Sequence, residues 1–290
     1  MSQRKNKSRY KEENIMNSSI CFLTKNPPDD FYKLIKDFIS NHKVYVCIDD
    51  NNHKVDWEGV EIIQMDENIP HQAGYHSMHL DKFPKFYNKS ISREKAHYYI
   101  HKNLDTNHVW FIEEDVFIPR HDLLKQIDDE FKDSDLLIRD IQTIETHPNW
   151  PHWIGPTGDS DDIIHSNRTW LSGKKISKKD LKRSMISAVR VSKKFVECMD
   201  MYLHDHNRIG LFMDELCIPT LAYLYNLKID CPKELGFILW RDGKQKDNEY
   251  VIFPYSKDKV NENMMYHPIK DLKRQITLRF GDESIKDKDR

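Results

Sequence analysis

Apolar and polar positions along this chain fall into short blocks and longer stripes. Apolar runs without polar alternation occur at Ser18-Ser19-Ile20-Cys21-Phe22-Leu23-Thr24, Val44-Tyr45-Val46-Cys47-Ile48 and Val109-Trp110-Phe111-Ile112. Such runs predict strands buried on both faces. Between the first two, Phe31, Leu34, Ile35, Phe38 and Ile39 recur at helical spacing behind Pro27-Pro28, with Asp29 or Asp30 placed to cap. Further helices are predicted from Ser90 or Ser92 to about Leu104, over His121 to Phe131, over 192–204 and over about 215–226. Further strands are predicted at Val60 to Met65, Leu136 to Ile138, Met185 to Val191 and Gly236 to Trp240. Strand and helix alternate, so the expected fold class is α/β: a mostly parallel central sheet flanked by helices. Periodicity lapses between about 141 and 183, where Lys174 to Arg183 reads as a solvated, mobile segment. Residues 1–17 and 276–290 are charged and polar and predict tails, which leaves 18–275 as one domain.

Composition narrows the class. Lys and Arg number 45 against 47 Asp and Glu, a net charge of −2, which argues against a nucleic-acid binder built on phosphate neutralisation. With 38% apolar residues the chain can fold. No run approaches the ~20 apolar residues of a membrane span, and the polar start has no apolar stretch behind it. The expectation is a soluble, cytoplasmic protein. Five cysteines without close pairs predict buried thiols, not a zinc site or a disulfide framework.

Candidate chemistry centres on Glu113-Glu114-Asp115, three acids that end an apolar strand. In an open α/β sheet, ligands bind beyond the carboxyl ends of the strands. Adjacent buried acids need a neutraliser, and Mg²⁺ or Mn²⁺ suits oxygen ligands. The plain alternative is a solvated strand end. Asp49-Asp50 closes another strand or simply makes a turn. Asp214-Glu215 opens a helix, either as a general base or as acids that complement the helix dipole. His267 follows the last expected strand. Trp150 and Trp153 sit in the irregular stretch, as a core plug or as faces for a sugar.

Taken in order, these features resemble the GT-A class of nucleotide-sugar glycosyltransferases, over about residues 18 to 270, with Glu113-Glu114-Asp115 in place of the usual Asp-x-Asp. The resemblance implies a nucleotide-diphospho-sugar transferase type of fold, with a nucleotide-binding half over about 18–117 and an acceptor-binding half over about 118–275. It implies Asp115 and His267 as metal ligands for Mn²⁺ or Mg²⁺. Glu113 would contact the sugar or ribose or reach the metal through water, with Glu114 beside it among the cofactor-binding residues, Thr24 at the nucleotide cradle, and Asp49 at the base or ribose. Arg93 and Lys95 would neutralise diphosphate or contact the base, with solvated helix charges as their plain alternative. Asp214 or Glu215 would deprotonate the acceptor hydroxyl, as in inverting members. A UDP- or GDP-sugar donor and a carbohydrate or glycoprotein acceptor follow, with Trp150 and Trp153 at the acceptor. Two other readings are a non-catalytic glycan- or protein-binding protein on the same scaffold and a nucleotidyltransferase. The last ranks lowest, because Thr24-Lys25-Asn26-Pro27-Pro28 has no glycine to cradle phosphates.

Overall fold

The computed structural model describes residues 18–66, 68–77, 90–150, 153, 170–171, 174–175, 178–205, 210–211, 213–239, 254 and 256–281. In chain order these form β1 (Ser18–Thr24), α1 (Asp29–Ile35), β2 (Lys43–Ile48), β3 (Val60–Gln64), α2 (Asn68–Gln72), α3 (Ser92–Asn103), β4 (His108–Glu113), α4 (Leu123–Glu130) and β5 (Leu136–Leu137). The short strands β6 (Trp170–Leu171) and β7 (Lys174–Lys175) pair antiparallel. Then come β8 (Ala188–Ser192), α5 (Lys193–Asp205), α6 (Asp214–Leu224), β9 (Ile229–Asp230), β10 (Phe237–Ile238), β11 (Tyr266–His267) and α7 (Leu272–Phe280).

Seven strands make the main sheet in the order β3-β2-β1-β4-β8-β5-β9. Only β8 runs against its neighbours, so the expected fold class stands. From β1 the chain steps outward through β2 and β3, then returns to place β4 on the other side of β1. That reversal opens a crevice at the carboxyl ends of β1 and β4, where α/β sheets take ligands.

Successive residues of each strand feed opposite layers. Cys21, Leu23, Tyr45, Cys47, Val109 and Phe111 pack with residues of α3, α5 and α6. Ile20, Phe22, Val44, Val46, Trp110 and Ile112 pack with residues of α1 and α4 and are joined by Leu272 and Ile276 of α7. The sheet is covered on both faces, as its unbroken apolar strands require.

Two expectations are corrected. The tail expected from residue 276 is instead the second half of α7, which runs to Phe280 and buries Gln275, Leu278 and Arg279. Its inward stripe of Leu272, Gln275, Ile276 and Arg279 has helical spacing but two polar members, so an apolar count misses it. The Lys-rich segment is not simply solvated: Leu181 is buried and the Arg183 guanidinium lies 4.1 Å from the centre of the Trp150 ring. Residues 1–17 lie outside the described residues.

Buried charge also holds the layers together. The Asp128 carboxylate on α4 accepts from the Ser18 hydroxyl, Trp110 Nε1 (3.0 Å) and Arg190 Nη1 (2.8 Å), and lies 3.0 Å from His42 Nε2. Arg190 is fully buried on β8. Burial works to raise the Asp128 pKa, but the His42 hydrogen bond and the Arg190 charge outweigh it and hold the group ionised and low. Replacing Asp128 with Ala leaves that guanidinium uncompensated and is expected to cost about 3–5 kcal/mol. Urea denaturation followed by circular dichroism measures this, and a loss below about 1 kcal/mol contradicts it.

Candidate functional site

The acidic turn is built where β4 runs out. Glu113 N donates to Ser187 O (2.9 Å), Glu114 N to Leu23 O (3.1 Å), and Val116 N closes back on Glu113 O (3.0 Å). Beyond it, Phe117 and Tyr266 exchange backbone hydrogen bonds of 2.8 and 3.0 Å, and Ile269 N donates to Asp115 O at 2.8 Å. The buried Gln275 amide of α7 reaches Glu114 O (2.9 Å) and Ile269 O (2.8 Å). These bonds fix β11, and with it His267, against the turn. The lone histidine expected after the last strand is itself strand, 5% exposed.

The result is a convergence of Glu113, Asp115 and His267, with one ligand atom from each lying within 4.8 Å of the others. His267 Nε2 is 3.2 Å from Asp115 Oδ1 and 3.5 Å from Glu113 Oε2. Its Nδ1 lies 2.6 Å from Leu239 O. A carbonyl only accepts, so Nδ1 carries the proton and Nε2 is aimed at the two carboxylates, the tautomer and orientation that outer-shell partners give metal-binding histidines. Burial lowers the imidazole pKa, but the hydrogen bonds and charges of Asp115 and Glu113 more than offset it and leave it raised to about 9. Burial pushes Glu113 up, while the Arg93 guanidinium, His267 and the Ser187 hydroxyl hold it down at about 2. With His267 protonated, the cluster carries its own counter-ion. A divalent cation has the oxygen and nitrogen donors it requires there once that proton leaves.

The other expected residues gather along the same edge. Arg93 is buried at the start of α3 and pairs with Glu113. Lys95, 2% exposed, pairs with Asp49 at 2.6 Å, and the Ser92 hydroxyl donates to the same carboxylate at 2.5 Å. Neither base is the solvated helix charge of the plain reading: each anchors an acid at a strand end. Asp49 thereby secures the first turn of α3. Thr24 Oγ1 donates to the exposed Glu114 carboxylate, which joins the ends of β1 and β4.

Asp214 and Glu215 open α6, with Glu215 buried. Burial raises both pKa values, Asp214 against the charge of Arg93 and Glu215 against that of Arg183, the latter reaching about 7. Arg93 and Glu113 act electrostatically on both, so this pair belongs to the same cluster. A carboxyl titrating near neutrality suits a general base. Trp150 and Trp153 do not follow the acceptor expectation. Their rings meet edge-on at 5.1 Å within the core, and Trp153 Nε1 donates to His147 O at 2.6 Å. This is the core-plug alternative. The sequence did not point to Ser187 or Gln275, and it placed Ser92 only at a helix start and Arg183 only in a solvated stretch. Gln275 had a signal in its place on the helical stripe of α7.

No family model matches the chain, and no curated protein matches it. Among solved structures that match is the 2-C-methyl-D-erythritol 4-phosphate cytidylyltransferase from Thermus thermophilus, at 8% identity and TM-score 0.39, covering 74% of this chain and 87% of the other. Another is the bifunctional IspDF from Campylobacter jejuni, at 11% identity and TM-score 0.37; the match covers 85% of this chain and 54% of that longer one. The expectation of a nucleotide-sugar glycosyltransferase is corrected: these two structures are a cytidylyltransferase and IspDF, neither a glycosyltransferase, and sugar transfer is set aside. At these identities and TM-scores, neither activity passes to this chain.

Glu215 yields a pH test. Its folded pKa of about 7 exceeds the ordinary 4.5, so between these values the native state holds more protons than the unfolded one. Its contribution to stability is full below pH 4.5 and is lost as pH rises through 7, by at most about 3 kcal/mol. Glu215→Gln is expected to flatten that part of the decline, measured as unfolding free energy from about pH 5 to 8. Parallel declines in variant and wild type contradict the assignment.

Proposed function

We propose that this protein is a divalent-cation-dependent transferase that works on a nucleotide. One observation supports this above the rest: Glu113, Asp115 and His267 converge beside the sheet's switch point, with Nε2 of the imidazole turned toward both acids by the Nδ1–H bond to Leu239 O. In this reading the three side chains hold Mn²⁺ or Mg²⁺, which neutralises charge developing on the phosphates of the leaving group. No helix among the described residues is long and apolar enough to cross a membrane.

The remaining steps fall to the chain's own groups. Arg93 keeps Glu113 ionised and in place. Thr24 and Glu114 close the floor of the crevice between β1 and β4. Glu215, or Asp214 beside it, takes the proton from a hydroxyl of the second substrate, and the surrounding apolar residues keep bulk water from that carboxylate.

Ligands of the native state stabilise it by mass action, by about 2.7 kcal/mol at roughly 100 times Kd, and so raise its melting temperature. Mn²⁺ together with a nucleoside di- or triphosphate is expected to raise Tm by several degrees. Asp115→Asn and His267→Ala are expected to abolish the Mn²⁺-dependent part. Differential scanning fluorimetry over a nucleotide panel reads this directly. A wild type indifferent to every nucleotide, with and without metal, overturns the proposal.

A further inference from the structure

Away from the cation cluster, Arg183 sits in an unusual position. An isolated bridge to Gln142, with hydrogen bonds of 2.9 Å in both directions, fixes its backbone, and the next residue's N–H donates to Glu215 O at 3.0 Å. Its guanidinium lies over the face of Trp150, itself 6% exposed, so packing holds the plane in place. Among the described residues, Arg183 Nε is buried without a hydrogen-bond partner, and so is Glu215 Oε2. Glu215 is 8% exposed. An unmet donor and an unmet acceptor therefore stand at one place in the fold, each of a kind that is normally satisfied when buried.

The neighbouring charges make the need sharper. The groups acting on Arg183 are Glu215, Asp140 and a second cation, Arg139. The Asp140 carboxylate is already engaged by Gln142 Nε2 at 2.8 Å and Ser184 Oγ at 3.5 Å. Arg139 and Asp140 directly follow Ile138 beyond β5, and β5 runs in the same direction as β4, so the two arginines share the sheet edge that carries the cation cluster. Along that edge Glu215 is linked electrostatically to Arg183 and also to Arg93 and Glu113.

We propose that Arg183 and Arg139 form a binding site for an anionic group, phosphate or carboxylate, carried by the second substrate beside the hydroxyl that meets Glu215. The inference deepens the proposed function and rests on it for the role of Glu215. A planar guanidinium held on an indole offers fixed donors to a two-oxygen anion. A hydroxyl next to that anion gives Glu215 Oε2 the donor it lacks. The second substrate is thus an anionic alcohol.

Inorganic phosphate and acetate, titrated into the full chain in EDTA and followed by tryptophan fluorescence, test this without knowledge of the substrate. The wild type and Asp115→Asn are expected to give a saturable change with the same affinity. Arg139→Gln, at a half-buried residue, is expected to bind at least about 10-fold more weakly, and a folded Arg183→Gln to lose binding. Whichever anion binds more tightly identifies the group as phosphate or carboxylate. Equal affinity in wild type and Arg139→Gln overturns the proposal, as does a wild type that saturates with neither anion. Failure of the cation reading shows separately, as the absence of a Mn²⁺ response in the wild type without EDTA, and leaves the anion result standing.

Discussion

Two carboxylates brought together at the end of a buried strand repel each other, and the architecture around β4 answers that repulsion. Glu113 is neutralised from one side by Arg93, which α3 delivers, and Glu113 and Asp115 together are faced from the other by His267, which β11 delivers. Neither partner is free to leave. α3 is tied down by Lys95 and Ser92 on Asp49, and β11 by its backbone bonds to Phe117 and by Gln275. Low-dielectric surroundings make such a cluster costly when it is incomplete and strong when it is complete. The acids and imidazole thus serve the fold as an ion cluster, and the same three side chains are the ligand set of the proposed cation.

Buried charge is used in two ways in this molecule. Asp128, between α4 and the sheet, is surrounded by Ser18, His42, Trp110 and Arg190, and its oxygens are occupied by the protein's own groups. Among the described residues, Glu215, Arg183 and Arg93, at the carboxyl edge, each keep a buried polar atom without a partner. The first arrangement ties layers together. The second leaves unmet hydrogen-bonding capacity at the edge where the topology opens a crevice, whereas the unpartnered atoms beside Asp128, His42 Nδ1 and Arg190 Nε, lie away from it around an acid already satisfied.

Much of this was legible in the sequence. Apolar runs such as Val44-Tyr45-Val46-Cys47-Ile48, short and rich in β-branched residues, read as strands covered on both faces, so the parallel sheet followed. The acids at strand ends were legible because charge is conspicuous inside an apolar segment. What stayed hidden was partnership. Nothing in Ser92-Arg93-Glu94-Lys95 shows that both bases turn inward, because each does so for an acid distant in sequence. α7 escaped notice because its buried face includes Gln275 and Arg279, and Trp150 and Trp153 fit a core and a binding surface equally well until packing decided. The transferred group of the proposed reaction was not legible either, because acids and bases suited to a cation and a phosphate do not specify what leaves with them.

The most direct test of the central claim is diffraction from crystals soaked in Mn²⁺, with anomalous differences collected near the manganese edge. One strong peak is expected, bounded by Glu113, Asp115 and Nε2 of His267, at ligand distances of about 2.0–2.3 Å. Crystals in which manganese is absent there, with His267 still hydrogen-bonded to both acids, would contradict it.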